Sequence, residues 1–311
     1  MAEISIEELN QAMIKAPAET IAEEDFRYAS ALEEIADKVC GGGNIRVILL
    51  AGPSGSGKTT TANMLADAIR RRGIPTFVVS LDDFYRESND PDYPTFENGE
   101  RDFECVDALC VSEVVKTLTD IAEERPYSLP KFDFKVGSRV SETTFQPIGN
   151  GCVIIEGLHA LNPKIFELLP QDKILKLFIS VSTNVTKGGE VIISGKKLRF
   201  VRRMVRDNIY RAADAKRTLE LWDNVLQGEE LYLYPYRHLA DICLNTFHRF
   251  ELAIMKPYAD KLLTSEVTEE NEYARIVHNA FSESVSVSCS LLPQASLLRE
   301  FIPGGIYEDI Y

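Results

Sequence analysis

Apolar residues in this chain fall into short unbroken runs, separated by stretches where they recur every three or four positions. Five runs have the length of a strand: Ile45–Ala51 (IRVILLA), Thr76–Leu81 (TFVVSL), Cys152–Ile155 (CVII), Ile174–Val181 (ILKLFISV) and Asp241–Leu244 (DICL). Runs this continuous do not alternate as a half-wet strand must, so they predict strands buried on both faces of a parallel sheet. Helix-prone stretches lie between them. One, from about Thr59 to Arg72, closes on Arg70-Arg71-Arg72-Gly73, with cations at the negative end of its dipole and a glycine past its last turn. The alternation predicts an α/β fold with a parallel central sheet flanked by helices.

Residues 1–42 are acidic and helix-prone and run into Gly41-Gly42-Gly43, so they read as a helical N-terminal extension ahead of a domain spanning 43–311. Gly188-Gly189 and Gly195 bracket a polar stretch, 182–197, that reads as a mobile surface loop.

Composition narrows the partners. With 311 residues, 45% hydrophobic and 26% charged, the chain has the make-up of a soluble globular enzyme. Its net charge of -14 repels nucleic acid and anionic membrane, and neither is expected as a partner. The same field opposes a phosphorylated ligand, so a site for one must concentrate positive potential locally. No apolar stretch approaches the ~18 residues of a membrane span. The opening Met-Ala-Glu-Ile-Ser-Ile-Glu-Glu is acidic where a leader would be basic, and a cytoplasmic protein is expected. The six cysteines form no C-x-x-C pair; Cys152 and Cys243 sit in apolar runs and read as small core residues.

One segment carries clear chemistry. Gly52-Pro53-Ser54-Gly55-Ser56-Gly57-Lys58-Thr59 matches G-x-x-x-x-G-K-[ST] between a predicted strand and a predicted helix. Such glycines let successive backbone N–H groups curl round a phosphate, and the helix N-terminus adds partial positive charge. The motif assigns Gly52, Ser54, Gly55, Ser56, Gly57, Lys58, Thr59 and Thr60 to ATP, with Lys58 on the β- and γ-phosphates and Thr59 on Mg²⁺. In open α/β sheets ligands bind beyond the carboxyl ends of the strands, and two acids stand there: Asp82 after TFVVSL and Glu156 after CVII. Either alone would read as a cap or a turn residue. Beside a phosphate loop, both become candidate Mg²⁺ partners, and one a candidate base for an attacking hydroxyl. Arg199, Arg202, Arg203 and Arg206 follow i, i+3, i+4, i+7 spacing, one stripe of a helix, and supply the local cationic patch that a transferring phosphoryl group requires.

Taken together, GPSGSGKTT (52–60), VSLDDFYR (79–86), LPKFDFKVGSR (129–139), VIIEGLHAL (153–161), RFVRRMVRDNIYR (199–211) and ADICLN (240–245) resemble the uridine kinase and phosphoribulokinase family, in the family's order. PQASLLREFIPGG (293–305) resembles the end of a uridine kinase-like branch. The resemblance implies a P-loop NTPase fold of the nucleoside/nucleotide kinase type. It implies a kinase transferring the γ-phosphate of Mg·ATP to a hydroxyl of a small molecule, and family members are commonly homo-oligomers. It assigns Asp82 as the catalytic aspartate beside Lys58 and Arg206, and Thr59, Asp82 and Glu156 to Mg²⁺. Tyr85, Glu104, Phe132, Asp133, Arg203 and Arg211 fall to the acceptor, with Glu104 where the family has an aspartate gripping ribose hydroxyls.

Three positions depart from the family pattern. Phe132 stands where uridine kinases carry tyrosine, Gly137 where they carry histidine, and Ala213 where a second lid arginine is usual. Those side chains read the pyrimidine, and a site stripped of its hydrogen-bonding groups loses its discrimination. The acceptor is therefore open: a nucleoside, or a non-nucleoside alcohol such as a sugar phosphate or pantothenate. A regulatory protein that binds ATP without transfer is the reading from a different class.

Overall fold

The computed structural model describes residues 2–42, 44–95, 99, 101–133 and 136–307. Gly43, the expected domain boundary, and Phe134-Lys135 of the 129–139 motif lie outside the described residues. The chain opens with β1 (Ala2–Ser5), α1 (Ile6–Lys15) and α2 (Pro17–Gly41). It continues through β2 (Val47–Ala51), α3 (Lys58–Arg71), β3 (Thr76–Ser80), α4 (Val111–Ala122), and the hairpin β4 (Tyr127–Asp133) and β5 (Ser138–Phe145). Next come β6 (Cys152–Gly157), α5 (Pro163–Phe166), β7 (Ile174–Ser180), β8 (Thr183–Lys187), β9 (Glu190–Ile193), α6 (Gly195–Arg211) and α7 (Ala215–Tyr232). Finally β10 (Ile242–Asn245) is followed by α8 (Glu251–Leu262), α9 (Ser265–Glu270) and α10 (Glu272–Ser282).

The five runs predicted as strands form one parallel sheet in the order β10-β7-β2-β6-β3. Every residue of β2 and β6 is buried. Side chains alternate across the sheet, so Ile48 and Leu50 of β2 join one core, while Val47, Leu49 and Ala51 join the other. Helices α2, α3, α6, α8 and α10 cover the first face, and α4 and α5 cover the second. This is the α/β arrangement with a parallel central sheet that the pattern predicts.

Residues 2–42 pack into that first core through Ile6, Leu9, Met13, Ile21, Tyr28 and Leu32, and β1 pairs in parallel with β8.

Two expectations are corrected. The stretch 182–197 is no loop: β8 and β9 form an antiparallel hairpin turning at Gly188-Gly189, and α6 starts at Gly195. Its polar residues hid the strand. Thr183, Asn184 and Thr186 are buried because β1 and α1 close over them. Cys243 is exposed, not core, since β10 is an edge strand of the sheet; Cys152, on central β6, is buried as expected.

Candidate active site

Parallel strands point their carboxyl ends the same way, so the sheet order brings the sequence-predicted residues together. The phosphate loop leaves β2, Glu156 lies near the end of the adjoining β6, and Asp82 follows β3 one strand further on. Leu50, Glu156 and Ser80 share one register row.

Gly55 and Gly57 take left-handed φ values of 71° and 93°, and a Cβ at Gly55 would stand 2.6 Å from the Arg199 carbonyl oxygen. Only glycine meets both demands. Lys58 folds back so that Nζ donates to the Pro53 carbonyl at 3.2 Å. The buried Ser56 hydroxyl has no hydrogen-bond partner among the described residues. A curled glycine backbone, a lysine with one weak tie and an unmatched buried hydroxyl fit an anionic phosphate chain.

Two residues that the motif assigns to ATP, Ser54 and Thr60, have their backbone N–H groups engaged by protein carboxylates. Ser54 N–H donates to Glu229 Oε1 at 2.9 Å, and Thr60 N–H donates to Glu300 Oε2 at 3.0 Å.

Glu156 is buried, and burial pushes its carboxyl up to about 7, helped by nearby Asp82 and Glu300 and opposed by Lys58. Asp82 keeps solvent access, yet the protein mass around it raises its pKa, opposed by Lys58, Arg211 and Arg206. Its neighbour Asp83 does a different job: its carboxylate accepts the Phe132 N–H at 3.3 Å and pairs with Lys131 at 3.1 Å, fixing β4. Carboxyl groups whose pKa is raised by burial, beside the Lys58 ammonium, are in an environment where they can exchange a proton or join a divalent cation.

The arginine stripe divides in two. Arg199 and Arg202, 1% and 0% exposed, are not free cations for a ligand. Arg199 donates to both Glu229 oxygens at 2.7 and 2.8 Å and to the Ser54 carbonyl at 2.8 Å. Arg202 pairs with Glu251 and donates to the carbonyls of Gly55 and Ser56 at 3.3 and 3.4 Å. They hold the outer side of the phosphate loop. The patch expected from the stripe is therefore corrected to its C-terminal half, because burial of the first two arginines is compensated only by paired glutamates.

Arg203, Arg206 and Arg211 gather around buried Asp207. Arg206 donates to Oδ1 at 2.9 and 3.0 Å, Arg211 lies 3.4 Å from the same oxygen, and Arg203 Nε lies 3.3 Å from Oδ2. Arg203 also donates to the Ser54 hydroxyl at 2.9 Å. Sequence reasoning missed Asp207, although its spacing of four residues from both Arg203 and Arg211 marks it. It also missed Glu229, Glu251 and Glu300, whose partners lie far along the chain.

Beside this cluster opens a cavity of about 240 Å³, lined by Phe103, Glu104, Arg203, Val225, Gly228 and Leu231 among others. Burial pushes Glu104 up to about 7. A Cβ on Gly228 would meet the Glu104 Cβ at 2.6 Å, so α7 closes tightly on this acid. Tyr85 stands within the electrostatic reach of both Asp82 and Glu104 and donates its hydroxyl to the Phe103 carbonyl, joining the cavity to the carboxyl end of β3. Phe132 is buried, with its ring 6.2 Å from that of Tyr85, and Asp133 ends β4 beside them, half-buried.

Known proteins share this chain's sequence features. Residues 47–252, more than half of the chain, match the Phosphoribulokinase / Uridine kinase family. The chain belongs to this family. It is 28% identical over 184 residues to the uridine kinase of Schizosaccharomyces pombe, covering 59% of this chain and 36% of that protein. It is 25% identical over 244 residues to uridine-cytidine kinase C of Dictyostelium discoideum, covering 78% and 47%. The chain thus spans less than half the length of these two relatives. Among solved structures, D-glycerate 3-kinase from Cryptococcus neoformans aligns with a TM-score of 0.42 and 14% identity over 66% of this chain and 88% of that one. Among the described residues, no helix is long and apolar enough to cross a membrane.

Proposed function

We propose that the chain is a cytoplasmic phosphotransferase that moves the γ-phosphate of Mg·ATP to a hydroxyl of a small molecule held against the Glu104 cavity. The observation that carries this reading is the convergence of Lys58, Asp82 and Glu156 at the carboxyl ends of β2, β3 and β6. Lys58 and the glycine backbone hold the phosphates; Thr59, Glu156 and Asp82 hold Mg²⁺, which neutralises phosphate charge when bound. Asp82 takes the proton of the attacking hydroxyl, and Arg206 and Arg211 offset charge on the transferring group. The kinase unit is assigned to residues 43–311, with the described residues 2–42 packed onto it.

The acceptor is an uncharged polyhydroxyl compound. Glu104 accepts its hydroxyl protons, while the apolar wall of Val225 and Leu231 covers its less polar face. A neutral hydroxyl is the group placed against Glu104, since an anionic one there would meet the ionised fraction of this acid, while Arg203 on the same wall is already tied to Asp207 and Ser54. With Phe132 lacking a hydroxyl and Gly137 lacking a side chain, pyrimidine selectivity is not supported.

Product analysis with Mg·ATP and a panel of uridine, cytidine, other nucleosides, free sugars, sugar phosphates and pantothenate tests the proposal. Acceptor-dependent ADP formation with a neutral polyol is expected. Nucleotide binding with no acceptor-dependent turnover across the panel would replace it with the regulatory reading, and selective turnover of uridine would restore the pyrimidine one.

A further inference from the structure

Helix α3 begins at Lys58 after Gly57, an N-cap with no side chain, so none of its first-turn N–H groups finds a local cap. A residue 240 positions away supplies one. The Glu300 carboxylate, 4% exposed, accepts the Thr60 N–H at 3.0 Å. It arrives on a short turn, Leu297–Glu300, in which Leu297, Leu298 and the following Phe301 and Ile302 are fully buried.

The turn touches the phosphate loop at further points. The Leu297 side chain lies against Gly57, where an added Cβ would meet its methyls at 3.0 Å. The Phe301 ring lies 5.2 Å from the Arg202 guanidinium, whose Nη1 donates to the Gly55 and Ser56 carbonyls. The segment is itself tied down. Ser296 donates to Asp25 on α2 at 2.8 Å, and Arg299 donates to the carbonyls of Cys289 and Leu292 at 2.9 and 2.7 Å. Next to Thr60 on α3, the Thr61 hydroxyl meets that of Tyr28 on α2 at 2.7 Å.

We infer that Glu300 is a positioning residue for the nucleotide site: it caps the first turn of α3 from a distant part of the same chain and, with Leu297, fixes the phosphate loop for Mg·ATP. The cap satisfies the Thr60 amide inside the protein, so that ordering of this turn does not wait for the ligand. The inference rests on the nucleotide-binding part of the proposed function and is independent of the acceptor. A carboxylate so close to a triphosphate site opposes ATP by charge. Its contribution must therefore come from where its oxygen stands, and charge and position can be separated by substitution.

Glu300→Gln keeps an acceptor oxygen at the same reach without the charge; Glu300→Asp keeps the charge and withdraws the oxygen; Glu300→Ala removes both. Mg·ATP affinity is measured calorimetrically on the full chain, with melting temperature in the absence of nucleotide and the KM for ATP and for an acceptor alongside. Ala and Asp are expected to weaken Mg·ATP binding by about fivefold, the worth of one hydrogen bond, and Gln to recover it to within about twofold. KM for ATP rises in step, while KM for the acceptor stays. Should the Ala variant fail to fold, the Gln and Asp pair decides alone. Gln weakening binding as much as Asp, or all variants binding like the parent, overturns the inference. A parent chain that binds no Mg·ATP sinks the nucleotide reading as well, so the two failures are distinguishable.

Discussion

Arg202 on α6 and Glu251 on α8 face each other through contacts of 2.6 and 2.8 Å, with neither side chain more than 1% exposed. The pair is a strut: one end is set in the core by α8, the other reaches the carbonyls of Gly55 and Ser56. Removing one partner strands a buried charge. Glu251→Ala is expected to cost about 3–5 kcal/mol in denaturant unfolding, while replacing both residues by apolar ones of similar volume costs much less. Equal losses for the single and double variants would show that the pair carries no such coupling.

Asp82→Asn keeps the shape of the side chain but cannot take a proton at neutral pH. A fall in kcat of ~10² or more is expected, with Mg·ATP affinity close to that of the parent. Near-normal kcat in a folded variant would remove Asp82 from the proton-accepting role and leave the adjoining carboxyls to be tried.

A half-buried acid behind the site makes stability depend on pH. Burial pushes Asp25 up to about 6 from 3.8, with Glu24 adding to the rise and the Ser296 hydroxyl opposing it. His248 Nε2, 3.9 Å away, belongs to an imidazole that burial and Arg202 hold neutral, its pKa pushed down to about 3. The folded state therefore binds the Asp25 proton more tightly than the unfolded state does. Stability from this group is present below pH 4 and is lost as pH rises through 6. Asp25→Asn removes that loss while keeping an acceptor for Ser296, so it should be more stable than the parent at pH 8, by on the order of 2 kcal/mol. Near pH 4 the two should unfold alike. The same difference at both pH values would assign the effect to packing.

Gly137 bears on acceptor choice. Its φ is 71°, its carbonyl accepts the Ser88 N–H at 2.8 Å, and a Cβ there would lie 2.3 Å from the Ser88 hydroxyl. Gly137→His should therefore cost about 1–2 kcal/mol in stability and leave kcat/KM for uridine unimproved. A gain in uridine phosphorylation would mean that the turn adapts and that side-chain chemistry alone separates this chain from pyrimidine kinases.

What could be read from the residues was whatever is local. β2, β3, β6, β7 and β10 announce themselves as apolar runs, and the phosphate loop carries its chemistry in eight consecutive positions. Asp82 and Glu156 were found by standing at strand ends. The β8 strand stayed hidden because its polar Thr183 and Asn184 are buried by β1, a partner some 180 residues earlier. For the same reason the stripe of arginines could not be divided. Arg199 and Arg203 look alike in sequence, and only the distant Glu229 decides that one is buried support while the other reaches the cavity.

The parallel pairing of β1 with β8 also sets a schedule. Ala2–Ser5 is synthesised about 180 residues before Thr183–Thr186, and the ladder cannot close until both are made. At ~5–20 residues per second, that interval is on the order of 10–40 s. Throughout it the nascent β1 offers unpaired N–H and C=O groups, and the apolar faces of α1 and α2 lack part of their covering. This segment's exposure to wrong partners therefore falls during synthesis, and a chaperone that holds it would act before β8 exists to pair with it.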